Sequence, residues 1–150
     1  MPPKKQSSDC ILSGVPILLG VTGSISAYKA ADLASRLVQA GAEVRTVLTA
    51  AAVEFITPLT FETLTGHPAH TGMFRDNRSR GAEHITLAGF PKLAVIAPAS
   101  ADFIGKMAGG LADDLLSAVV MATRSPILLA PGMNSGMWEN PGVGENVRRL

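Results

Sequence analysis

Four short polar segments carry most of the groups in this 150-residue chain that could do chemistry. Pro131-Gly132-Met133-Asn134-Ser135-Gly136-Met137-Trp138 holds the only tryptophan together with two methionines and an asparagine. Asn134 can donate to a substrate carboxylate without introducing a second full charge. A surface turn whose Trp138 packs on a neighbouring subunit fits the same residues. Gly23-Ser24-Ile25-Ser26 opens a helical pattern bearing Tyr28 and Lys29. Free N–H groups at a helix start plus hydroxyls suit a monophosphate, and Gly23 permits close backbone approach and positive φ; a serine-capped turn is the plainer alternative. In Pro98-Ala99-Ser100-Ala101-Asp102, small residues let a planar ring approach the backbone, and Ser100 and Asp102 can hydrogen-bond to it. A strand-to-helix turn with Asp102 in the first helical turn fits equally well. Thr49-Ala50-Ala51 adds a hydroxyl.

Other chemistries find less support. His67 and His70 bracket Pro68 without a cysteine or acidic cluster, so a metal site is not expected. Cys10 stands alone and forms no internal disulfide. His84, within Gly81-Ala82-Glu83-His84-Ile85-Thr86-Leu87, reads in isolation as a surface or capping histidine, and only context promotes it. Neither GxxxxGK[ST] nor GxGxxG occurs. Thr49 stands where an acid would hold an adenosine ribose, which favours a phosphate or ribityl chain and tilts the cofactor reading to flavin mononucleotide.

Position along the chain gives these segments a common setting. Ile17 to Val21, Val44 to Leu48, Leu93 to Ala97 and Ile127 to Ala130 are short, nearly continuous apolar runs, as strands buried on both faces of a parallel sheet are. Ala30, Leu33, Ala34, Leu37 and Val38 follow helical spacing, with Gly41 where a helix stops. Asp113 and Asp114 cap a second helix from Leu115 that Ser125-Pro126 ends. Short helices near 50–65 and a short strand near 69–74 are expected between. Alternating strands and helices predict an α/β fold: a three-layer open parallel sheet with helices on both faces. Each of the four segments follows a strand, so all should lie along one rim, where such sheets bind ligands.

Composition narrows the class further. Hydrophobic residues make up 47% and charged residues 17%, with mean hydropathy +0.27, which excludes a disordered tail. Thirteen basic and twelve acidic residues give a net charge of +1, with no basic stripe for nucleic acid. No apolar run approaches the roughly 18 residues of a membrane span. Residues 1–13 read as a flexible tail without a secretory signal, and a cytoplasmic protein is expected. The apolar excess and the Trp- and Met-bearing loop predict self-association.

Gly23-Ser24-Ile25, His84-Ile85-Thr86-Leu87, Pro98-Ala99-Ser100-Ala101-Asp102 and Pro-x-Met-Asn-x-x-Met-Trp at 131–138 occur in an order that resembles the homo-oligomeric flavin-containing cysteine decarboxylases, within them the flavin domain of the bacterial coenzyme A branch. The likeness spans residues 15–148. It implies a flavodoxin-like or Rossmann-like subunit binding FMN at a trimer interface, in a homotrimer or a dodecamer of trimers. It also implies decarboxylation of 4'-phosphopantothenoylcysteine to 4'-phosphopantetheine. By matching position His84 is the acid/base residue, and Asn134 holds the substrate carboxylate beside Met137. FMN rests on Gly23, Ser24, Ile25, Thr49, Ser100, Ala101, Asp102, Phe103 and Gly132. Asp102-Phe103 replaces the Asn-Thr of some members. The chain ends twelve residues after Trp138, so residues 14–150 are expected to form a decarboxylase domain cut before the family's substrate-covering flap and its cysteine. Two other activities remain open: oxidative decarboxylation of a peptide's C-terminal cysteine to an enethiol, and a non-catalytic FMN-binding regulator. Retention of His84 and Asn134 argues against the second.

Overall fold

Strands whose two faces are both covered need no polar side, so the apolar runs become the centre of the molecule. The computed structural model describes residues 10–73 and 83–150. Among the described residues five parallel strands form one sheet: β1 (Pro16–Val21), β2 (Glu43–Leu48), β3 (Ala69–His70), β4 (Leu93–Ala99) and β5 (Ile127–Pro131), in the order β3-β2-β1-β4-β5. Side chains alternate between two cores although the hydropathy does not. Ile17, Leu19 and Val21 enter one core with Val44, Leu48 and Phe61. Leu18 enters the other with Val47, Ile96, Phe103 and Leu116.

Helices cover both faces, as the alternating pattern predicts. On the first lie α1 (Ala27–Gln39) and α3 (Pro58–Thr65), with the single-turn α2 (Ala50–Val53). On the second lie α4 (Glu83–Gly89), α5 (Ala101–Gly109) and α6 (Leu115–Ala122). Two further helices, α7 (Ser135–Trp138) and α8 (Pro141–Arg149), follow β5, and α8 packs on α5. Helix α1 starts three residues before the apolar spacing and buries Ala27, Ala30 and Ala34; their small side chains let it lie close to the sheet. Helix α6 is closed by a capping box in which Asp114 Oδ1 accepts from Ser117 N at 2.7 Å and Ser117 Oγ accepts from Asp114 N at 3.1 Å. Gly20 faces the second core, where a Cβ would lie 2.7 Å from both Ile96 Cδ1 and Leu116 Cδ1.

Residues 10–13, expected to belong to a loose tail, pack instead against the α1–β2 turn. Leu12 N donates to Ala40 O and Gly14 N to Gly41 O, each at 2.9 Å, and Leu12 touches the first core. Gly41 allows this with φ +93°, because a Cβ there would lie 2.9 Å from Cys10 Cβ. The rest of that expected tail, residues 1–9, lies outside the described residues. The expected short strand near 69–74 is Ala69–His70, paired to Thr46 and Val47.

The chain builds β1, β2 and β3 outward in one direction, then returns to set β4 on the free side of β1. Strand order reverses there, and the loops after β1 and β4 diverge to opposite faces, leaving a crevice at their carboxyl ends. No helix of the described residues is long and apolar enough to cross a membrane.

Phe61, fully buried beneath α3, ties that helix to the first core. Phe61→Ala should lower unfolding free energy by about 3–5 kcal/mol, read as a lower urea midpoint with an unchanged m value.

Candidate ligand cavity

The crevice is a cavity of about 1310 Å³ at the carboxyl ends of β1, β2, β4 and β5. Its frame begins at Thr22, directly after β1 and 1% exposed. Thr22 Oγ1 donates to Pro98 O at 2.6 Å and accepts from Ser100 N at 2.8 Å. One hydroxyl thus joins the ends of β1 and β4 and holds two cavity loops at a fixed separation.

All four rim segments converge on this space. Gly23, Ser24, Ile25 and Ser26 form one wall. Of the two freedoms that a glycine permits at position 23, positive φ is not used. Gly23 is needed for close approach, since a Cβ would lie 2.5 Å from Ala51 Cβ. Ser24 Oγ and Ser26 Oγ lie 3.0 Å apart, and Ser26 N donates to Ser24 Oγ at 3.3 Å. The α1 N-cap, Ser26, makes no side-chain cap bond; Ala27 N and Lys29 N donate instead to Ser24 O and Ser26 O, each at 2.9 Å. Thr49 caps α2 by accepting from Ala52 N at 3.2 Å, which leaves its hydroxyl hydrogen to donate.

Opposite them stand Ser100, Ala101, Asp102 and Phe103 at the start of α5. Ser100 Oγ accepts from Phe103 N at 3.2 Å, so this segment forms the N-cap of α5 while lining the cavity. Gly132 closes the third side; a Cβ there would lie 2.8 Å from both Pro98 Cβ and Ser26 Oγ. Asn134 and Met137 line the outer part. Asn134 Oδ1 accepts from Gly136 N at 2.8 Å, so its NH2 group is left as donor. Trp138, half-exposed, lies outside this cavity in a shallow depression with Pro131 and Met133.

His84 is not part of this wall. It sits half-buried on α4, which packs against α6 across the sheet from α1. Its neighbour Glu83 is paired with His70, Oε1 to Nδ1 at 2.5 Å.

Sequence reasoning missed a charged cluster at the cavity edge. Lys106 Nζ lies 3.2 Å from Asp113 Oδ1, 3.5 Å from Asp114 Oδ2 and 3.6 Å from Asp102 Oδ2, and Lys106, Asp102 and Asp114 all line the cavity. Partial burial disfavours the ammonium, but the Asp113 hydrogen bond and the charges of Asp102, Asp114 and Asp113 outweigh it and raise its pKa above the ordinary lysine value. The i,i+4 spacing of Asp102 and Lys106 was the available signal; the approach of the Asp113-Asp114 turn was not readable.

The family model described as Flavoprotein matches residues 5–150. The chain is 45% identical over 139 residues to the coenzyme A biosynthesis bifunctional protein CoaBC of Vibrio vulnificus (strain YJ016), covering 93% of this chain and 35% of that protein. The CoaBC of Bacillus subtilis (strain 168) is 41% identical over 140 residues, covering 93% and 34%. The chain therefore spans about a third of the length of these curated relatives. Among solved structures, the FMN-dependent cysteine decarboxylase SpaF superimposes with TM-score 0.83 at 39% identity, covering 91% of this chain and 78% of that one. A PPC decarboxylase mutant, C175S, complexed with pantothenoylaminoethenethiol gives TM-score 0.79 at 31% identity, covering 91% and 77%.

Two measurements check the frame. Thr22→Val strands the Ser100 N–H and should cost about 1–3 kcal/mol in chemical denaturation, with Thr22→Ser recovering most of it. The raised Lys106 pKa means its ion pairs stabilise the fold fully below the unfolded-state lysine value and are lost as pH climbs through the folded one. The stability difference between wild type and Lys106→Met should therefore be flat from neutral to about pH 10 and shrink above it.

Proposed function

This chain belongs to the flavoprotein family, and on that premise we propose that it holds FMN in the switch-point cavity and decarboxylates 4'-phosphopantothenoylcysteine to 4'-phosphopantetheine, a step of coenzyme A biosynthesis. One observation carries the reading. The nine residues Gly23, Ser24, Ile25, Thr49, Ser100, Ala101, Asp102, Phe103 and Gly132, drawn from four separate loops, all line one cavity.

The donor set fits a flavin mononucleotide. The Ser24 and Ser26 hydroxyls at the start of α1 take the phosphate. Thr49 has a hydroxyl hydrogen for the phosphate or the ribityl chain. Gly132 keeps open a space that any Cβ would close against Pro98 and Ser26, and Ala97, Pro98 and Ala101 offer a flat, small-residue wall to a planar ring. Bound FMN would accept two electrons from the substrate's thiol-bearing carbon, giving the departing carboxylate an electron sink, and would return them to the resulting enethiol to give the pantetheine product.

The chain's own groups do the rest. The Asn134 NH2 holds the substrate carboxylate without adding charge, and Met137 walls its pocket. Lys106 keeps the carboxylates of Asp102 and Asp114 paired at the cavity edge. His84 moves the thiol proton, a task suited to an imidazole, whose two ring nitrogens can accept and donate one.

His84 lies away from its own chain's cavity, so this reading includes a homotrimer, or a dodecamer of trimers, in which a neighbouring copy brings the imidazole to the site. Exposed apolar residues beside the cavity, Ile25 at 76% and Tyr28 at 64%, support a covering subunit. The proposal places the protein in the cytoplasm with a small-molecule substrate. A second reading is oxidative decarboxylation of a peptide's C-terminal cysteine; the likeness to SpaF, an FMN-dependent cysteine decarboxylase, supports cysteine decarboxylation in either reading.

Purified protein should be yellow, bind added FMN at micromolar levels and release carbon dioxide from phosphopantothenoylcysteine. Mass spectrometry separates the two readings: the pantetheine product lacks only CO2, the enethiol lacks CO2 and two hydrogens. His84→Asn should keep the flavin and stop decarboxylation; a colourless protein that refuses FMN sinks both readings.

A further inference from the structure

The short helix α4 carries His84 in its first turn but is packed into the protein by its second. Its buried residues are Leu87 and Ala88, and Ala88 O accepts from Thr123 Oγ1 at 2.8 Å, which fastens the carboxyl-terminal half to α6. At the other end Ile85 is 58% exposed. Seven residues are too few for a helix to hold its shape without tertiary support. Full burial therefore anchors the second half of α4, while Glu83 and His84 of the first turn are only partly buried.

The His70–Glu83 contact does reach that turn. His70 Nδ1 and Glu83 Oε1 lie 2.5 Å apart, with the two side chains 23% and 24% exposed, so the bond is partly screened from water. His70 is itself held firmly. It ends β3, in register with Val47 of β2, and Ala69 N donates to Glu62 Oε1 of α3 at 3.2 Å. The pair thus transmits the rigidity of the sheet and α3 to the residue immediately before His84. Glu83 also places a negative charge in the first helical turn, where the helix dipole favours it.

We propose that His70 and Glu83 are positioning residues for His84: their hydrogen bond orders the first turn of α4 and sets the direction of the neighbouring imidazole. This rests on the reading of His84 as the proton-transfer group. Neither residue lines the cavity, so neither touches the ligand within its own chain.

The test compares His70→Ala, Glu83→Ala, Glu83→Gln and the double alanine variant with His84→Asn, all loaded with FMN. Either alanine variant should lower kcat about tenfold or more, as a displaced proton-transfer group does, while KM and the affinity for FMN stay within about twofold. Glu83→Gln keeps an acceptor oxygen and should recover most of the rate. The double variant should be no slower than either single one, because one bond is lost in all three. An independent readout is the NMR signal of the His84 imidazole in protein without FMN, which should shift and broaden in both alanine variants and stay near wild type in Glu83→Gln. Wild-type kcat in the alanine variants, alongside an inactive His84→Asn, overturns the positioning role and leaves His84 in place. An active His84→Asn overturns the reading of His84 instead, and an unmoved imidazole signal in Glu83→Ala then overturns the ordering of α4 as well.

Discussion

Beyond the ladder that pairs β1 with β4, one buried hydroxyl ties together the carboxyl ends of these strands, on which the site is built. Parallel strands end with their backbone groups unpaired on one side, and adjacent strands whose loops leave to opposite faces tend to splay. Thr22 meets both problems. It donates to Pro98 O and accepts from Ser100 N, so the last groups of β1 and β4 are paired with each other instead of with water. Ser100 in turn caps α5, Thr49 caps α2, and Asn134 caps α7. The polar residues of the rim therefore serve twice, finishing helices and leaving a second hydrogen-bonding valence for the cavity.

Close approach is the other constraint. Gly23 lets the first loop touch α2, and Gly132 lets the last loop pass against Pro98 and Ser26. Both are sites where a methyl group would meet another loop, not sites of unusual φ, since neither belongs to the positive-φ set. Small residues in α1 act in the same way behind the wall: Ala27, Ala30 and Ala34 allow the helix to lie flat on β1. Space for a planar ligand comes from the absence of side chains along these lines.

Charge is distributed unevenly around this space. At the α5 edge, Lys106 sits among three carboxylates, an arrangement with a net negative charge that disfavours a phosphate. The hydroxyl-bearing start of α1, with Lys29 on its first turn, faces the cavity from the other side and favours one.

Much of this was legible in the residues themselves. Strand positions followed from runs such as Ile17–Val21, which are apolar in both alternating sets, and a helix start followed from Asp114 ahead of Leu115. The rule that ligands collect beyond strand ends then grouped four rim loops without any distances. These readings succeed because propensity, capping and hydropathy act over a few neighbouring residues. Which side of β1 receives β4, how near the Asp113-Asp114 turn comes to Lys106, why Gly23 must be glycine, and that His84 lies off its own cavity were all decided by the tertiary structure. Each depends on segments far apart in the chain burying surface against one another, and no local pattern encodes which distant partner will supply that surface.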